Sequence, residues 1–213
     1  MSIDVGAGPG LIGRIRSRQA GRPSGLLGRI IGRAMIAHTA SANDEAIELL
    51  GIEPDARVLE IGFGQGRTVE RLVSAGHRVI GIEVSPTMLR QARARNRAAC
   101  RDGRVQLMLG DGTLLALDDH SVNAAISVHT VYFMPDPART LTEVARVLRP
   151  GGPFVLASRV SEDPTPEWMD PSIYRIRPAD EIEQLLEAAG FSDVSQTVRP
   201  EISEHTRWFR GLA

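Results

Sequence analysis

The sequence predicts an α/β domain built from parallel β–α–β units, and three observations carry that prediction. From about Asp55 onward, short runs of β-branched and aliphatic residues alternate with stretches of helical periodicity. Those helical stretches start and stop on local signals, such as Ser85-Pro86 at one start and Gly76 and Gly190 at two ends. The first strand runs into a glycine-dense turn, LEIGFGQGRT from Leu59 to Thr68, at what would be the carboxyl edge of an open sheet.

Taken in order, the strand candidates are Arg57–Ile61, Arg78–Glu83, Val105–Leu109, Ala124–Val128, Phe154–Ser158 and Asp193–Val198. A helix starts near Gly66, gathers Val69, Leu72 and Val73 on one apolar face, and stops at Gly76. The next opens with SPTML, where Ser85 caps and Pro86 takes the first helical position, whose N–H would be unpaired anyway. Another follows Pro137, with Leu141, Val144, Ala145 and Leu148 at helical spacing, and ends before RPGG. The last, PADEIEQLLEAAG, begins after Pro178, carries Ile182, Leu185 and Leu186, and ends at Gly190. The segment before Asp55 is helical in parts, including Asn43–Leu50. Residues 1–41 are therefore expected to form a basic, helical, partly flexible appendage, and residues 42–213 the main domain. The first stretch of about 25 residues, rich in glycine and arginine, is where flexibility is expected.

Composition bounds the function. With 213 residues, 42% of them apolar and 24% charged, the chain can bury one full core. No apolar run approaches the roughly 18 residues of a membrane span. The start, MSIDVGAGPGLIG, lacks the basic and apolar regions of a secretion signal, so the cytoplasm is the expected location. A single cysteine, Cys100, excludes an internal disulfide or a site built from several thiolates of this chain. All 25 basic residues are arginine, and they are unevenly placed. Arg14, Arg16, Arg18, Arg22, Arg29 and Arg33 lie between Gly10 and Arg33 with no acid among them. A second group, Arg90, Arg93, Arg95, Arg97, Arg101 and Arg104, is relieved only by Asp102. The pI of about 6.5 argues against nucleic acid as the partner of the whole domain.

The glycine turn carries the chemistry. Without side chains, Gly62, Gly64 and Gly66 let a ligand touch backbone and leave helix N–H groups available, although a tight strand-to-helix turn would need glycine too. The spacing is G-x-G-x-G, not the G-x-G-x-x-G of dinucleotide sites. An acid, Glu60, sits inside the strand end, and a second, Glu83, ends the next strand. There a carboxylate can accept both hydroxyls of a ribose. A third acid, Asp111 in LGDGT, follows the third strand, where an adenine amino group could meet it. Three acids at three neighbouring strand ends suit a nucleoside without phosphates, which they would repel.

With these motifs in place, the sequence resembles the class I S-adenosylmethionine-dependent methyltransferases, especially the small-molecule branch that includes quinone and sterol methyltransferases. The resemblance covers roughly Ala42 to Val198. VLEIGFGQG looks like the family's first motif and VIGIEVSPTML like its second. LGDGTLLALDDHSVNAAISVHTVYFMPDP is similar to the third and fourth, and TLTEVARVLRPGGPFVLAS to the helix and strand that follow. The resemblance implies a Rossmann-like, mostly parallel seven-stranded sheet with helices on both faces and one antiparallel strand near the C-terminus. HTRWFRGLA is the candidate for that strand. It also implies S-adenosyl-L-methionine as cofactor. Glu60 and the backbone of Gly62, Phe63 and Gly64, in the turn closed by Gly66, would hold the methionyl end. Glu83 would bind the ribose, with Val84 and Met88 near the adenine, and Asp111, Gly112 and Thr113 would read the adenine edge. Ser127 and His129 would lie beside the methionyl group and the reacting methyl.

The expected reaction is metal-independent, in-line methyl transfer to a small or lipid-like acceptor. A base is needed only if the acceptor loses a proton, and His129, with an ordinary imidazole pKa, is the candidate. Packing on the cofactor is its simpler role. His38 is a lesser candidate from the N-terminal segment. Tyr132, Phe133 and Met134 either line an acceptor pocket or pack in the core. Trp168, Met169 and Tyr174 fall in a long insertion, SEDPTPEWMDPSIYRIRP, of the kind that closes over substrates. Arg90, Arg93, Arg97 and Arg101 share a helical face that reads as solvated surface. The N-terminal arginines, with Leu11, Ile12, Ile15, Leu26, Leu27, Ile30 and Ile31, fit a cover over the site better than a membrane-surface helix. The rival functions are a nicotinamide-dependent oxidoreductase, a cofactor-binding protein without catalysis, and an RNA or protein methyltransferase.

Overall fold

Helices α1 (Leu11–Gly21) and α2 (Gly25–Leu50) precede an alternating series of strands and helices. In chain order these are β1 (Arg57–Ile61), α3 (Arg67–Ser74), β2 (Arg78–Glu83), α4 (Pro86–Arg95), α5 (Arg97–Arg101) and β3 (Val105–Leu109). Then follow β4 (Ala124–Val128), α6 (Pro137–Val147), β5 (Pro153–Ser158), α7 (Ala179–Ala188), β6 (Ser192–Val198) and β7 (Arg207–Leu212). The computed structural model describes residues 10–213, apart from the side chains of residues 26–38. The expectations placed on Leu26, Leu27, Ile30, Ile31 and His38 lie outside the described residues.

The strands form one seven-stranded sheet in the order β3-β2-β1-β4-β5-β7-β6. Strands β1 to β5 pair in parallel, and β7 runs antiparallel to both β5 and β6. HTRWFRGLA thus supplies the antiparallel strand expected near the C-terminus. Its position follows from two large side chains that point to opposite sides of the sheet, Trp208 and Phe209, both essentially unexposed. The Trp208 indole N–H also donates to the Ala42 carbonyl at 3.0 Å, tying β7 to α2.

Helices cover both faces because the central strands are apolar on both. Leu59, Ile61, Ile80 and Ile82 enter one core with Leu141 and Val144 of α6 and Ile182 and Leu186 of α7. Val58, Val79 and Ile126 enter the other with Ala46 and Leu50 of α2 and Val69 and Leu72 of α3. Each such buried aliphatic side chain contributes about 1.5–3 kcal/mol, which overrides weak local propensities. Helix ends use the predicted residues. After α3, His77 N donates to Leu72 O and Gly76 N to Val73 O, with Gly76 at φ 94°. After α7, Phe191 N and Gly190 N make the equivalent bonds to Leu186 O and Glu187 O. This pairing satisfies the last carbonyls and requires a left-handed residue, hence glycine.

At the N-terminus, α1 lies within the stretch expected to be basic and helical, and α2 runs without a break across residues 41 and 42. Its last two turns, through Ala42, Ala46 and Leu50, belong to the core of the main domain.

Candidate active site

Strand order reverses between β1 and β4, so the connections leaving these two strands part and leave a crevice at their carboxyl ends. The glycine turn lies there, and its three glycines answer three separate demands. Gly62 extends the ladder by donating to Ile82 O at 2.8 Å, at φ 78°. A Cβ on it would lie 2.1 Å from Thr130 Cγ2. Gly64, at φ 53°, faces open space: a Cβ there would meet nothing within 4 Å, and its N–H donates to Glu83 Oε2 at 3.0 Å. Gly66, at φ 76°, is closed by α4: a Cβ would meet Ala92 Cβ and Asn96 Nδ2 at 2.8 Å each. Its carbonyl accepts from Asn96 Nδ2 at 3.0 Å.

Two buried carboxyl groups face the crevice. Glu83 Oε1 accepts from Ser85 N at 2.9 Å while Oε2 accepts from Gly64 N, so backbone holds both oxygens in place. Burial raises its pKa, and these N–H groups pull it back down. Glu60 has no such support. Its Oε2 is buried without a hydrogen-bond partner, and desolvation followed by the charge of Glu83 raises its pKa to about 8, with the Thr68 hydroxyl acting the other way. A buried carboxyl oxygen without a partner is costly and calls for a donor from outside the chain.

His129 follows β4 in a left-handed conformation, φ 56°, which is uncommon for a residue with a side chain. Its N–H donates to Ala157 O at 2.7 Å, and Nε2 lies 3.4 Å from Thr206 Oγ1. Nδ1 is buried without a partner. Desolvation, reinforced by Arg159, lowers the imidazole pKa to about 4. This corrects the expectation of an ordinary imidazole: the ring is neutral through physiological pH and is a weak proton acceptor.

The cavity at this edge brings together Glu60, Gly62, Phe63, Gly64, Glu83, Val84, Met88, Asp111 and His129 of the predicted set. Four predicted residues stand off its wall. Gly66 packs against α4, as above. Gly112 is turned toward α6, where a Cβ would lie 2.9 Å from Thr140 Cγ2. Thr113 is spent on a local turn, donating through N and Oγ1 to Asp111 Oδ1 at 3.0 and 2.7 Å. Ser127 is fully buried beneath the turn, where its hydroxyl bonds Ile61 O and the Thr130 hydroxyl and so props Gly62.

Sequence reasoning expected a cover from the N-terminal segment but did not name the residues that line it. Ala20, Gly21 and Pro23, with Thr39 and Asn43 of α2, close the cavity from above. Ser85 Oγ donates to Pro23 O and thereby joins roof to floor. Asn43 Oδ1 accepts from Thr68 Oγ1 at 2.8 Å, and Arg67 forms a two-pronged pair with Asp44 at 3.0 and 2.7 Å. Arg67 and Thr68 directly follow the glycine turn, which was a usable signal; the small roof residues carried none.

The other expectations divide. Phe133 and Met134 line the cavity, whereas Tyr132 is buried behind it, 4.6 Å from the Phe133 ring and 5.2 Å from Tyr174. Trp168 packs under Arg16, whose guanidinium lies 3.8 Å from its ring, and is not on the cavity wall. Ser172, Ile173 and Arg175 of the insertion instead line an outer cleft, which shares Gly21, Asp111, Phe133 and Pro135 with the cavity. On the second arginine group, Arg93 donates to Leu107 O and Arg95 pairs with Glu70, so these side chains serve the outer surface of α4.

Known proteins resemble this chain in sequence and in fold. Residues 59–156 match a family model described as a methyltransferase domain. A 27-O-demethylrifamycin SV methyltransferase from Amycolatopsis mediterranei is 29% identical over 190 residues, 82% of this chain and 70% of that protein. A 24-methylenesterol C-methyltransferase 2 from Oryza sativa subsp. japonica is 28% identical over 155 residues, 72% of this chain but only 40% of the relative's length. In fold, a chain from a Haloferax volcanii complex containing the Trm112 methyltransferase activator matches with a TM-score of 0.76 at 24% identity, covering 93% of this chain and 96% of the other. Residues 59–156 thus match a methyltransferase domain, and the chain has the fold of solved class I methyltransferase chains.

Proposed function

We propose that this protein is an enzyme that transfers a methyl group from S-adenosylmethionine, in line, to a small-molecule acceptor. The observation that carries the reading is the pair of buried acids at adjacent strand ends, one of them with an unpartnered oxygen. Glu60 fits an ammonium group: the methionyl amine would supply the missing donor and restore the carboxylate's charge. Glu83 is held by backbone through one lone pair on each oxygen, which leaves the others for the two ribose hydroxyls. Gly110 and Asp111 stand at the far end of the cavity, where an adenine edge would lie. Phosphates are disfavoured by both carboxyl groups, which argues against a dinucleotide and its oxidoreductase chemistry.

When bound, the cofactor supplies a methyl group already activated by the sulfonium, so the chain's task is positioning and exclusion of water. Phe133, Met134 and the roof segment Ala20–Pro23 shield the cavity. His129 stays neutral and offers Nδ1 as a hydrogen-bond acceptor to the attacking group. Its depressed pKa suits it to orienting an acceptor that already carries a lone pair, and poorly to removing a proton from a reluctant one. The outer cleft past Phe133 gives an acceptor its route, which favours an enzyme over a binding protein without catalysis.

Calorimetric titration of S-adenosylmethionine into wild type and Glu83→Ala tests the reading. Wild type is expected to bind, and the variant to bind about a hundredfold more weakly, since two charge-assisted hydrogen bonds are lost. Absence of binding to wild type would sink the proposal, and equal binding would remove the ribose assignment. Screening acceptors by S-adenosylhomocysteine release then identifies the substrate.

A further inference from the structure

Helix α1 meets the rest of the protein through its small residues. Ser17 and Ala20 are buried, and the Ser17 hydroxyl donates to Trp168 O and accepts from Asp170 N, both at 3.0 Å. The opposite side of the helix carries large aliphatic side chains in water: Leu11 is 76% exposed, Ile12 84% and Ile15 42%. At about 100° per residue, Leu11, Ile15 and Arg18 fall along one outward stripe, with Ile12 and Arg14 on its flanks. A helix that serves only its own protein turns its apolar residues inward and its charges outward; α1 turns both outward.

The charges are as unusual as the aliphatic groups. Among the described residues, no carboxylate lies within ion-pairing distance of Arg14, Arg18 or Arg22. Asp170 feels Arg14 and Arg18 through space, and its own oxygen is engaged by Ser172. The stretch from Gly10 to Arg33 holds six arginines and no acid in a chain of net charge −1, so the rest of the molecule is acidic. The surface continues past the helix. Arg18 and Arg22 border the outer cleft, whose other walls include Arg175 and the 55% exposed side chain of Leu109.

We propose that this outward side of α1 docks on an anionic lipid surface, with Leu11, Ile12 and Ile15 entering the boundary between headgroups and acyl chains and the arginines meeting lipid phosphates. Charge complementarity selects an anionic partner, and the aliphatic side chains select a bilayer over a nucleic acid, which would leave them in water. No helix among the described residues is long and apolar enough to cross a membrane, so the contact is peripheral. Ala20, Gly21 and Pro23 wall the cavity from the inner side of the same segment, so docking sets the mouth of the site against the bilayer.

The test is co-sedimentation of the full chain with vesicles of phosphatidylcholine alone and of phosphatidylcholine with about a third phosphatidylglycerol. Partitioning is expected to be at least about tenfold stronger with the anionic lipid and to fall as salt screens the arginines. Arg14→Gln with Arg18→Gln should weaken it about tenfold or more. The triple change Leu11→Ser, Ile12→Ser and Ile15→Ser should abolish it. All these side chains are exposed, and unchanged S-adenosylmethionine affinity confirms that the variants are folded. No binding to anionic vesicles overturns the proposal, as does equal binding to both lipids. Binding that needs the arginines but survives the triple serine change also overturns it, and points instead to a soluble polyanion such as RNA.

Discussion

The floor and the roof of the cavity are built by opposite strategies. The floor comes from the ends of neighbouring strands in one stretch of chain, and its geometry is set by backbone: Glu83 by Gly64 N and Ser85 N, Gly62 by Ile82 O, and the turn by Ser127 and Thr130 beneath it. The roof comes from α1, the following loop and α2, and is held by side-chain contacts between distant segments, such as Ser17 with Trp168 and Asp44 with Arg67. A floor fixed by backbone tolerates little change. A roof held by a few side-chain bonds opens locally at small cost and suits entry of an acceptor.

Gly62→Ala strikes the floor hardest. The methyl would lie 2.1 Å from Thr130 Cγ2 at a left-handed φ, so a loss of about 3 kcal/mol or more in unfolding free energy is expected by urea denaturation. If the variant were as stable as wild type, the turn would be less constrained than its packing implies.

Protonation gives an effect of comparable size. Glu60 has a folded-state pKa of about 8 against an ordinary 4.5, so between these values the unfolded chain releases a proton that the folded one keeps. This group's contribution to stability is full below about pH 4.5, declines as pH rises, and levels off above about 8. Glu60→Gln should remove that decline, on the order of 5 kcal/mol, when melting is followed across this range. His129 acts in the other direction: its folded-state pKa of about 4 against an ordinary 6.5 removes stability as pH falls through that window. Cofactor affinity should accordingly increase from about pH 6 toward 8 in wild type, because an ammonium needs the ionised Glu60. A flat affinity profile would break the assignment of Glu60.

Gly64→Ala separates a ligand-facing glycine from a packed one. With open space around the added methyl, only the left-handed conformation costs, about 1–2 kcal/mol by the same denaturation measurement. A loss as large as that of Gly62→Ala would erase the distinction.

Ser17→Ala probes the roof and should have the smallest global effect, less than about 1 kcal/mol in overall stability. Amide exchange in α1 should nonetheless accelerate about fivefold, because the bonds to Trp168 O and Asp170 N are what latch that helix to the insertion. Unchanged exchange would mean that the roof is held elsewhere.

The sequence by itself determined six of the seven strands, the main helix ends and the glycine turn with its acids, while the seventh strand entered only through the family resemblance. Those depend on periodicity, on glycine and proline at particular offsets, and on acids at strand ends, all of which act within a few residues of chain. Only the tertiary structure decided the rest. Ala20, Gly21 and Pro23 reach the cavity through packing and not through any local pattern, so nothing in their neighbourhood announced them. Gly66, Gly112 and Ser127 have the residue types of a binding motif but serve its support, which only their neighbours Asn96, Thr140 and Thr130 reveal. The pKa values of Glu60 and His129 likewise exist only in the fold, since burial and the approach of Glu83 and Arg159 set them. Local chemistry is written along the chain, whereas desolvation is a property of what folds over it.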